Sequence, residues 1–264
     1  MYQFDVEKTS EECIKWIQQW FSENANEKTK VVIGISGGKD SALTAMLLCK
    51  ALGRERVIGI MLPNGIQKDI SDSIKVCEFL QIEHHTIDIN NAYKGLTEEI
   101  KKDFTETEFS YQNYSTNTPA RLRMTTLYGI SAIIGNSMVV NTCNLSEDAM
   151  GYSTLYGDSA GSFAPLSKLT TDEIVAMGDF LGMPQEIMHK APSDGMCGKT
   201  DEDNLGWTYH EVNELIRENK KGPHYEQIID RYDRNKFKIQ IIDLPCYKPN
   251  LPINLSDYPG VNNE

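Results

Sequence analysis

The run Gly34-Ile-Ser36-Gly37-Gly38-Lys39-Asp40-Ser41 limits what this chain can fold into more than any other stretch. Before it stands Lys30-Val-Val-Ile-Gly-Ile35, short, β-branched and apolar, which suits a buried central strand. After it, residues 41–52 form an apolar segment stopped by Gly53, the pattern of a helix with a glycine end. Adjacent glycines between strand and helix let backbone N–H groups turn inward and approach an anion closely. A helix beginning near Asp40 aims the positive end of its dipole at the same spot, and Ser36 and Ser41 add hydroxyl donors. The combination reads as a phosphate cradle rather than a tight turn that carries no ligand. It is not a Walker loop, which has four residues between its glycines and Ser or Thr after the lysine. Here three residues separate Gly34 from Gly38, and Asp40 follows Lys39. An acid inside a phosphate cradle repels the ligand unless a divalent cation lies between them, so Asp40 is a candidate magnesium ligand.

The rest of the chain repeats the strand–helix alternation. Residues 9–22 place Cys13, Ile14, Ile17, Trp20 and Phe21 at helical spacing, with Thr9 or Ser10 available as N-cap, as in an amphipathic helix lying on the domain. Residues 56–62 form a second apolar strand stopped by Pro63. Residues 69–80 form a helix with Ile70, Ile74, Cys77 and Leu80 on one face, and residues 84–89 a third strand. A helix over 121–134 buries Leu122, Leu127, Ile130 and Ile134; a strand follows at 138–142, and Thr170-Thr-Asp-Glu173 is a capping box opening another helix. This order predicts an α/β fold, a doubly wound parallel sheet flanked by helices in one domain. Two long glycine-bearing polar stretches, 151–161 and 193–206, have the length of functional loops. The proline-bearing end, 245–264, reads as an extended tail on the surface.

Composition narrows the partners. The 264 residues carry a formal net charge of −12, which argues against a protein whose main task is gripping nucleic acid by its phosphates. No stretch approaches the about 18 uncharged apolar residues of a transmembrane helix, and the first residues lack a secretory pattern. Six scattered cysteines with no CxxC pair suit small buried hydrophobes in a reducing cytoplasm better than a disulfide framework. An acidic protein that binds anions must do so at a few well-placed positions.

GxSGGKDS after a first strand resembles the ATP-pyrophosphatase (PP-loop) superfamily, whose fold is Rossmann-like and adenine nucleotide alpha hydrolase-like. The resemblance implies splitting of ATP between its α and β phosphates, adenylation of a substrate oxygen and release of pyrophosphate. It puts Gly34, Ser36, Gly37, Gly38, Lys39, Asp40 and Ser41 on ATP, with Lys39 and Asp40 at the chemistry. Later motifs resemble those of the NAD synthetases. Leu62-Pro63-Asn64-Gly65-Ile66-Gln67-Lys68-Asp69 is similar to LPxGxQxD, which makes Gln67 an adenine contact. Asn117-Thr-Pro-Ala120-Arg121-Leu-Arg123-Met124 is similar to NxxARxRM and assigns Asn117, Arg121 and Arg123 to deamido-NAD, Arg121 foremost. Arginines two apart on a helix point to different sides, so one can serve a ligand while the other anchors a loop or partner subunit. Residues 141–158 resemble the family segment beginning GT and ending GD. Thr142 corresponds to an ATP contact, Glu147 to the second magnesium ligand and Asp158 to the acceptor side. By its position alone, Glu147 also suits a helix cap. Residues 192–206 resemble a mobile loop that closes over ATP with Ser193 facing the phosphates, although a solvated loop has the same composition. The chain departs from the family at Leu155, where many members have a basic residue, at Ser162, where they have Asp, and at Thr171, where they have Lys. Lys168 is the stand-in for that last lysine as an ATP contact. The family's C-terminal His-Lys pair has no clear match, with Lys236 and Lys238 in that region.

The resemblance implies amidation of deamido-NAD with ATP and ammonia to give NAD, AMP and pyrophosphate through an acyl-adenylate, with Mg2+ on Asp40 and Glu147. Free ammonia is the expected nitrogen donor, because 264 residues leave no room for a glutaminase beside the synthetase. It further implies a cytoplasmic homodimer to which the apolar N-terminal helix contributes, with no nucleic acid or membrane partner. The alternative is another PP-loop ligase, amidating or thiolating, with a different small acceptor.

Overall fold

β1 (Lys30–Gly34) is paired on both edges and packed on both faces, which explains its unbroken apolar sequence. The computed structural model describes residues 2–67, 70–105, 107–190, 200–241 and 244–258. Lys68, Asp69, Ser193 and the 193–199 part of the expected closing loop lie outside them. α1 (Val6–Asn24) precedes β1. α2 (Lys39–Leu52), β2 (Val57–Met61), α3 (Ile70–Leu80) and β3 (Glu83–Thr86) follow it. α4 (Asn90–Ile100) and the long α5 (Glu108–Ile134) lead to β4 (Ser137–Val139). α6 (Leu145–Ala149), α7 (Thr171–Leu181), α8 (Gln185–Met188), α9 (Asp201–Leu205), α10 (Tyr209–Glu218) and α11 (Tyr225–Ile241) come after the sheet.

Among the described residues the sheet has the order β3-β2-β1-β4, with every pairing parallel. Val32 of β1 is in register with Ile58 of β2 on one side and Val139 of β4 on the other. The chain steps outward from β1 to β3, then returns to the opposite side of β1 to lay down β4. That reversal opens a crevice between the carboxyl ends of β1 and β4, the place where open α/β sheets bind ligands. Alternate residues of β1 serve opposite cores. Val31 and Ile33 pack with Ile17, Leu47 and Met177 of α1, α2 and α7, whereas Val32 packs with Ile58, Val139 and the α5 residues Met124 and Leu127. A third cluster, including Met150, Ile216, Tyr232 and Leu255, joins α6, α10, α11 and the irregular chain after residue 244. The doubly wound sheet predicted from the sequence is therefore observed. Among the described residues no helix is long and apolar enough to cross a membrane.

Several boundaries differ from expectation. α1 starts at Val6, because Asp5 is its N-cap and accepts a hydrogen bond from Lys8 N at 3.0 Å; Thr9 and Ser10 are buried within the helix instead. Its apolar face, Cys13, Ile17 and Phe21, is consumed inside the chain, and Trp20 stacks on Phe163 with centroids 4.6 Å apart. That face is not available to a partner subunit, so a contribution of the N-terminal helix would come from its other side, where Lys15, Trp16 and Gln19 lie. α5 begins at residue 108 rather than 121, held by a Thr107–Ser110 capping box, and carries Pro119 in its interior. Proline removes one intrahelical bond and marks a break in sequence patterns, but a 27-residue helix packed on the sheet tolerates it. Ile134, expected to be buried, is exposed. β3 ends at Thr86 and is exposed along its length as an edge strand, although Ile87 N and Ile89 N still donate to Met61 O and Pro63 O, each at 2.9 Å. α4, α10 and α11 occupy stretches where the sequence pattern assigned no element.

The Thr170–Glu173 capping box forms as predicted, and Glu173 has a second role. Its carboxylate accepts from Arg217 Nε at 2.7 Å and Nη2 at 2.8 Å, and from Tyr2 Oη at 2.6 Å. The same guanidinium donates to Lys168 O at 2.7 Å and Pro252 O at 2.8 Å. Both charged side chains are almost wholly buried, so their hydrogen bonds must replace lost hydration. Arg217→Met leaves the Glu173 carboxylate buried without its counter-charge. The expected outcome is a loss of about 3–5 kcal/mol of stability, read from urea unfolding midpoints.

Candidate active site

The glycine loop leaves β1 at the crevice. Gly37 has φ +80°, and a Cβ there would stand 2.9 Å from Ser73 N and 3.1 Å from Asp72 Cβ. The first turn of α3 thus presses on the loop, and glycine is the residue that fits. Gly34, at the strand end, lies against Leu127 of α5, and Gly38 is the N-cap residue of α2. The serine hydroxyls brace the loop. Ser41 Oγ accepts from Ser36 N and donates to Gly38 O, both at 3.2 Å, while Ser36 Oγ accepts from Gly38 N at 3.2 Å. Ser41 is buried and holds the loop's shape; Ser36 is exposed.

Lys39, the first residue of α2, is buried, with its ammonium 3.2 Å from Asp40 Oδ2. The other Asp40 oxygen, Oδ1, accepts from Asn144 Nδ2 at 2.8 Å across the crevice. Asn144 is also the N-cap of α6, its Oδ1 accepting from Glu147 N at 3.0 Å. One amide therefore links the segments that follow β1 and β4, and brings Asp40 and Glu147 into one electrostatic neighbourhood. Burial, with the Asp40 carboxylate next in size, pushes the Glu147 carboxyl well above the usual range, against the pull of Lys39. Burial works against the Lys39 ammonium, but Asp40, Glu147 and Asp201 of α9 outweigh it and hold its pKa above the ordinary lysine value. Two acids whose charges raise each other's cost call for a cation. Among the described residues no three His, Cys, Asp or Glu side chains form a metal cluster. A cation here would take one or two protein carboxylates plus phosphate oxygens and water, the ligand set Mg2+ favours at nucleotide sites. Asp40 and Glu147 fit that ion.

Three of the expected acceptor residues, Asn117, Arg121 and Asp158, gather around the 151–161 loop. Asn117 Oδ1 accepts from Thr154 Oγ1 at 2.8 Å, Arg121 Nε donates to Leu155 O at 3.1 Å, and Asp158 Oδ1 accepts from Thr154 N at 3.0 Å. Asn141, beside Thr142 just past β4, donates to Asp158 O at 2.9 Å. The two arginines separate as helix geometry requires. Arg121 is exposed on the loop, whereas Arg123 is half-buried and donates from Nε to Leu62 O at 2.9 Å, at the end of β2. Burial lowers the Arg123 pKa, opposed by Asp158, and burial raises that of Asp158. Gln67 is partly buried beyond β2.

Lys168 lies beside Tyr258 and the segment that follows β4. Its ammonium is 4.4 Å from the centre of the Tyr258 ring, and it lines a cavity of about 40 Å³ with Asn141, Asp148, Lys238 and Tyr258. Burial pushes Asp148 up to about 7, with Lys168 pulling the other way. Thr171, where the sequence departs from the motif it resembles, is buried, its N donating to Ser146 Oγ at 3.0 Å. The structure also distinguishes the two late lysines. Lys238 Nζ donates to Gly151 O at 2.8 Å and Ser153 O at 3.0 Å, beside Asp158 and Arg121, while Lys236 pairs with Asp233 at 3.0 Å. Arg231, Asn235 and Lys238 form an i, i+4, i+7 stripe of α11 facing Met150–Ser153, a signal available once that helix is recognised.

The NAD synthase family model matches residues 9–247. An NH(3)-dependent NAD(+) synthetase of Thermococcus sibiricus is 38% identical over 218 residues, 82% of each chain. Among solved structures, an NMN synthetase from Francisella tularensis superposes with a TM-score of 0.80 at 33% identity, covering 94% of this chain and 100% of that one. An NH3-dependent NAD synthetase from Campylobacter jejuni, in complex with a nitrate ion, gives 0.71 at 29% identity, covering 92% and 99%.

The contact between Gly37 and α3 has a direct test. Gly37→Ala forces a side chain into left-handed backbone and against Ser73 N. Stability should fall by about 1–3 kcal/mol in chemical unfolding, and ATP binding by about tenfold or more in calorimetric titration.

Proposed function

The chain belongs to the NAD synthase family, and on that premise we propose that it makes NAD by ATP-dependent amidation of deamido-NAD with ammonia. The observation that carries this reading is the Asp40–Asn144–Glu147 link beside the glycine loop, at the reversal of strand order. Backbone N–H groups of the loop and the N-terminus of α2 receive the phosphates of ATP, with Gln67 and Thr142 beside the nucleoside. Asn117, Arg121, Arg123 and Asp158 take the acceptor, and Lys238 adds a cation to that group.

The difficulty of the reaction is to bring a carboxylate against the α-phosphate, both anionic. Lys39 leaves Asp40 for the phosphates and, with the helix N-terminus, offsets charge as the new P–O bond forms and pyrophosphate departs. Asp40 and Glu147 would hold Mg2+, which would supply further charge neutralisation at the phosphates. Ammonia then attacks the carbonyl of the acyl-adenylate, AMP leaves, and a proton passes to solvent. No covalent enzyme nucleophile is required.

Exposed apolar side chains on α4 (Leu96, Ile100) and along α5 (Tyr111, Tyr128, Ile133) support pairing of two copies through these helices. The free thiols of Cys13, Cys49, Cys77, Cys143 and Cys246 support a reducing, cytoplasmic setting. A second reading has a specific observation behind it. The likeness to the Francisella tularensis NMN synthetase, together with Leu155 and Ser162 on the acceptor side, favours a deamido mononucleotide acceptor in the same reaction.

One assay separates these readings: AMP and pyrophosphate release with ATP and ammonium, supplying the deamido dinucleotide or the deamido mononucleotide. Preference for the dinucleotide supports NAD synthesis, and preference for the mononucleotide supports the second reading. Turnover with neither points to another acceptor. Asp40→Ala should lower pyrophosphate release by about 100-fold or more while circular dichroism stays that of the wild type; near-wild-type turnover would remove Asp40 from the mechanism.

A further inference from the structure

We infer that Asn144 is the positioning residue of the reaction centre, fixing the Asp40 carboxylate and the Glu147 backbone so that both acids address one cation. This rests on the reading of Asp40 and Glu147 as the magnesium ligands.

Asn144 is wholly buried, so it touches neither solvent nor substrate and acts only through its neighbours. Both ends of its amide are used. Nδ2 donates to Asp40 Oδ1 at 2.8 Å, and Oδ1 accepts from Glu147 N at 3.0 Å. The first bond fixes the rotation of the Asp40 carboxylate and leaves Oδ2 as the oxygen that meets a cation. In this structure that cation is Lys39, 3.2 Å away. The second bond fixes where α6 starts, and so where Glu147, in its first turn, projects. The distance between the loops after β1 and β4 is thereby set by one side chain 104 residues away from Asp40 in sequence.

The residue type matters. A lysine or arginine at 144 would hold Asp40 but neutralise it, and an ionised Asp would repel it. A neutral amide donates to the carboxylate and keeps its full charge for the metal. Outer partners of this kind orient first ligands, and their loss typically costs about 10–100-fold in metal affinity. A helix cap alone would not need to reach Asp40, and that separates the two roles experimentally. Serine is as good an N-cap as asparagine but too short to span to Asp40, whereas alanine loses both functions.

The test is Mn2+ binding by electron paramagnetic resonance to the full chain with α,β-methylene-ATP, which cannot be split, in wild type, Asn144→Ser and Asn144→Ala. Both variants should bind Mn2+ about tenfold more weakly or worse, while Tm falls further in Asn144→Ala, which also loses the cap. Wild-type Mn2+ affinity in Asn144→Ser overturns the inference and reduces Asn144 to a helix cap. Equal falls of Tm in the two variants overturn the separation of cap from positioning role. A wild-type protein that takes up no Mn2+ with the analogue overturns this inference together with the magnesium assignment. The ATP and acceptor reading stands or falls separately, on AMP and pyrophosphate release.

Discussion

Parallel pairing of β1 on both edges is the constraint from which the rest of the structure follows. A strand with β2 on one side and β4 on the other can only arise if the chain reverses direction across the sheet. The reversal leaves two loops facing each other at the carboxyl edge with no strand between them. One is the glycine loop and the other the segment of Thr142, Asn144 and Glu147. The hydrogen bond from Asn144 to Asp40 bridges that gap, so the geometry of the centre is inherited from strand order rather than built by a dedicated motif.

How much of this the sequence disclosed varies with the physics behind each feature. Strand β1, its glycine loop and α2 were legible because local rules act in concert: β-branched burial, a left-handed glycine and a helix N-terminus. The Thr170–Glu173 box was legible for the same reason. α5 was cut short because Pro119 imitates a boundary, and only packing on the sheet overrides it. β3 was drawn too long because Ile87 and Ile89 keep backbone bonds to Met61 and Pro63, and Ile89 is buried, although the ladder itself ends at Thr86. In the candidate site, Asp40 was singled out by the charge balance of the cradle and Glu147 by motif resemblance, but Asn144 was invisible as a link. Its two partners are 104 residues and 3 residues away, and nothing in spacing encodes the first. Lys168 and Lys238 were ambiguous for a related reason. A lysine's long side chain can point several ways, and tertiary contacts with Tyr258 and with the Gly151 and Ser153 carbonyls decide it.

The charge balance also takes on a meaning. At a net charge of −12, the protein attracts anions only where backbone dipoles and selected cations converge. Lys39 is held ready by acids on several sides, and its raised pKa keeps it charged despite burial. The acidic remainder of the surface works against polyanions such as nucleic acid.

The buried pair of Glu173 and Arg217 has a consequence for how the molecule is made. Its hydrogen bonds reach Tyr2 at one extreme and Pro252 at the other, so the polar network closes over 250 residues of chain. A ribosome delivers Tyr2 some 250 residues before Pro252. Until that late segment emerges, the guanidinium lacks one carbonyl acceptor, and the satellite core around Leu255 and Tyr258 lacks a wall. The sheet with α1 and α2 is complete far earlier in synthesis. Closure of the molecule thus depends on a segment made after the sheet, and that segment also walls the cluster around α6, the helix that carries Glu147.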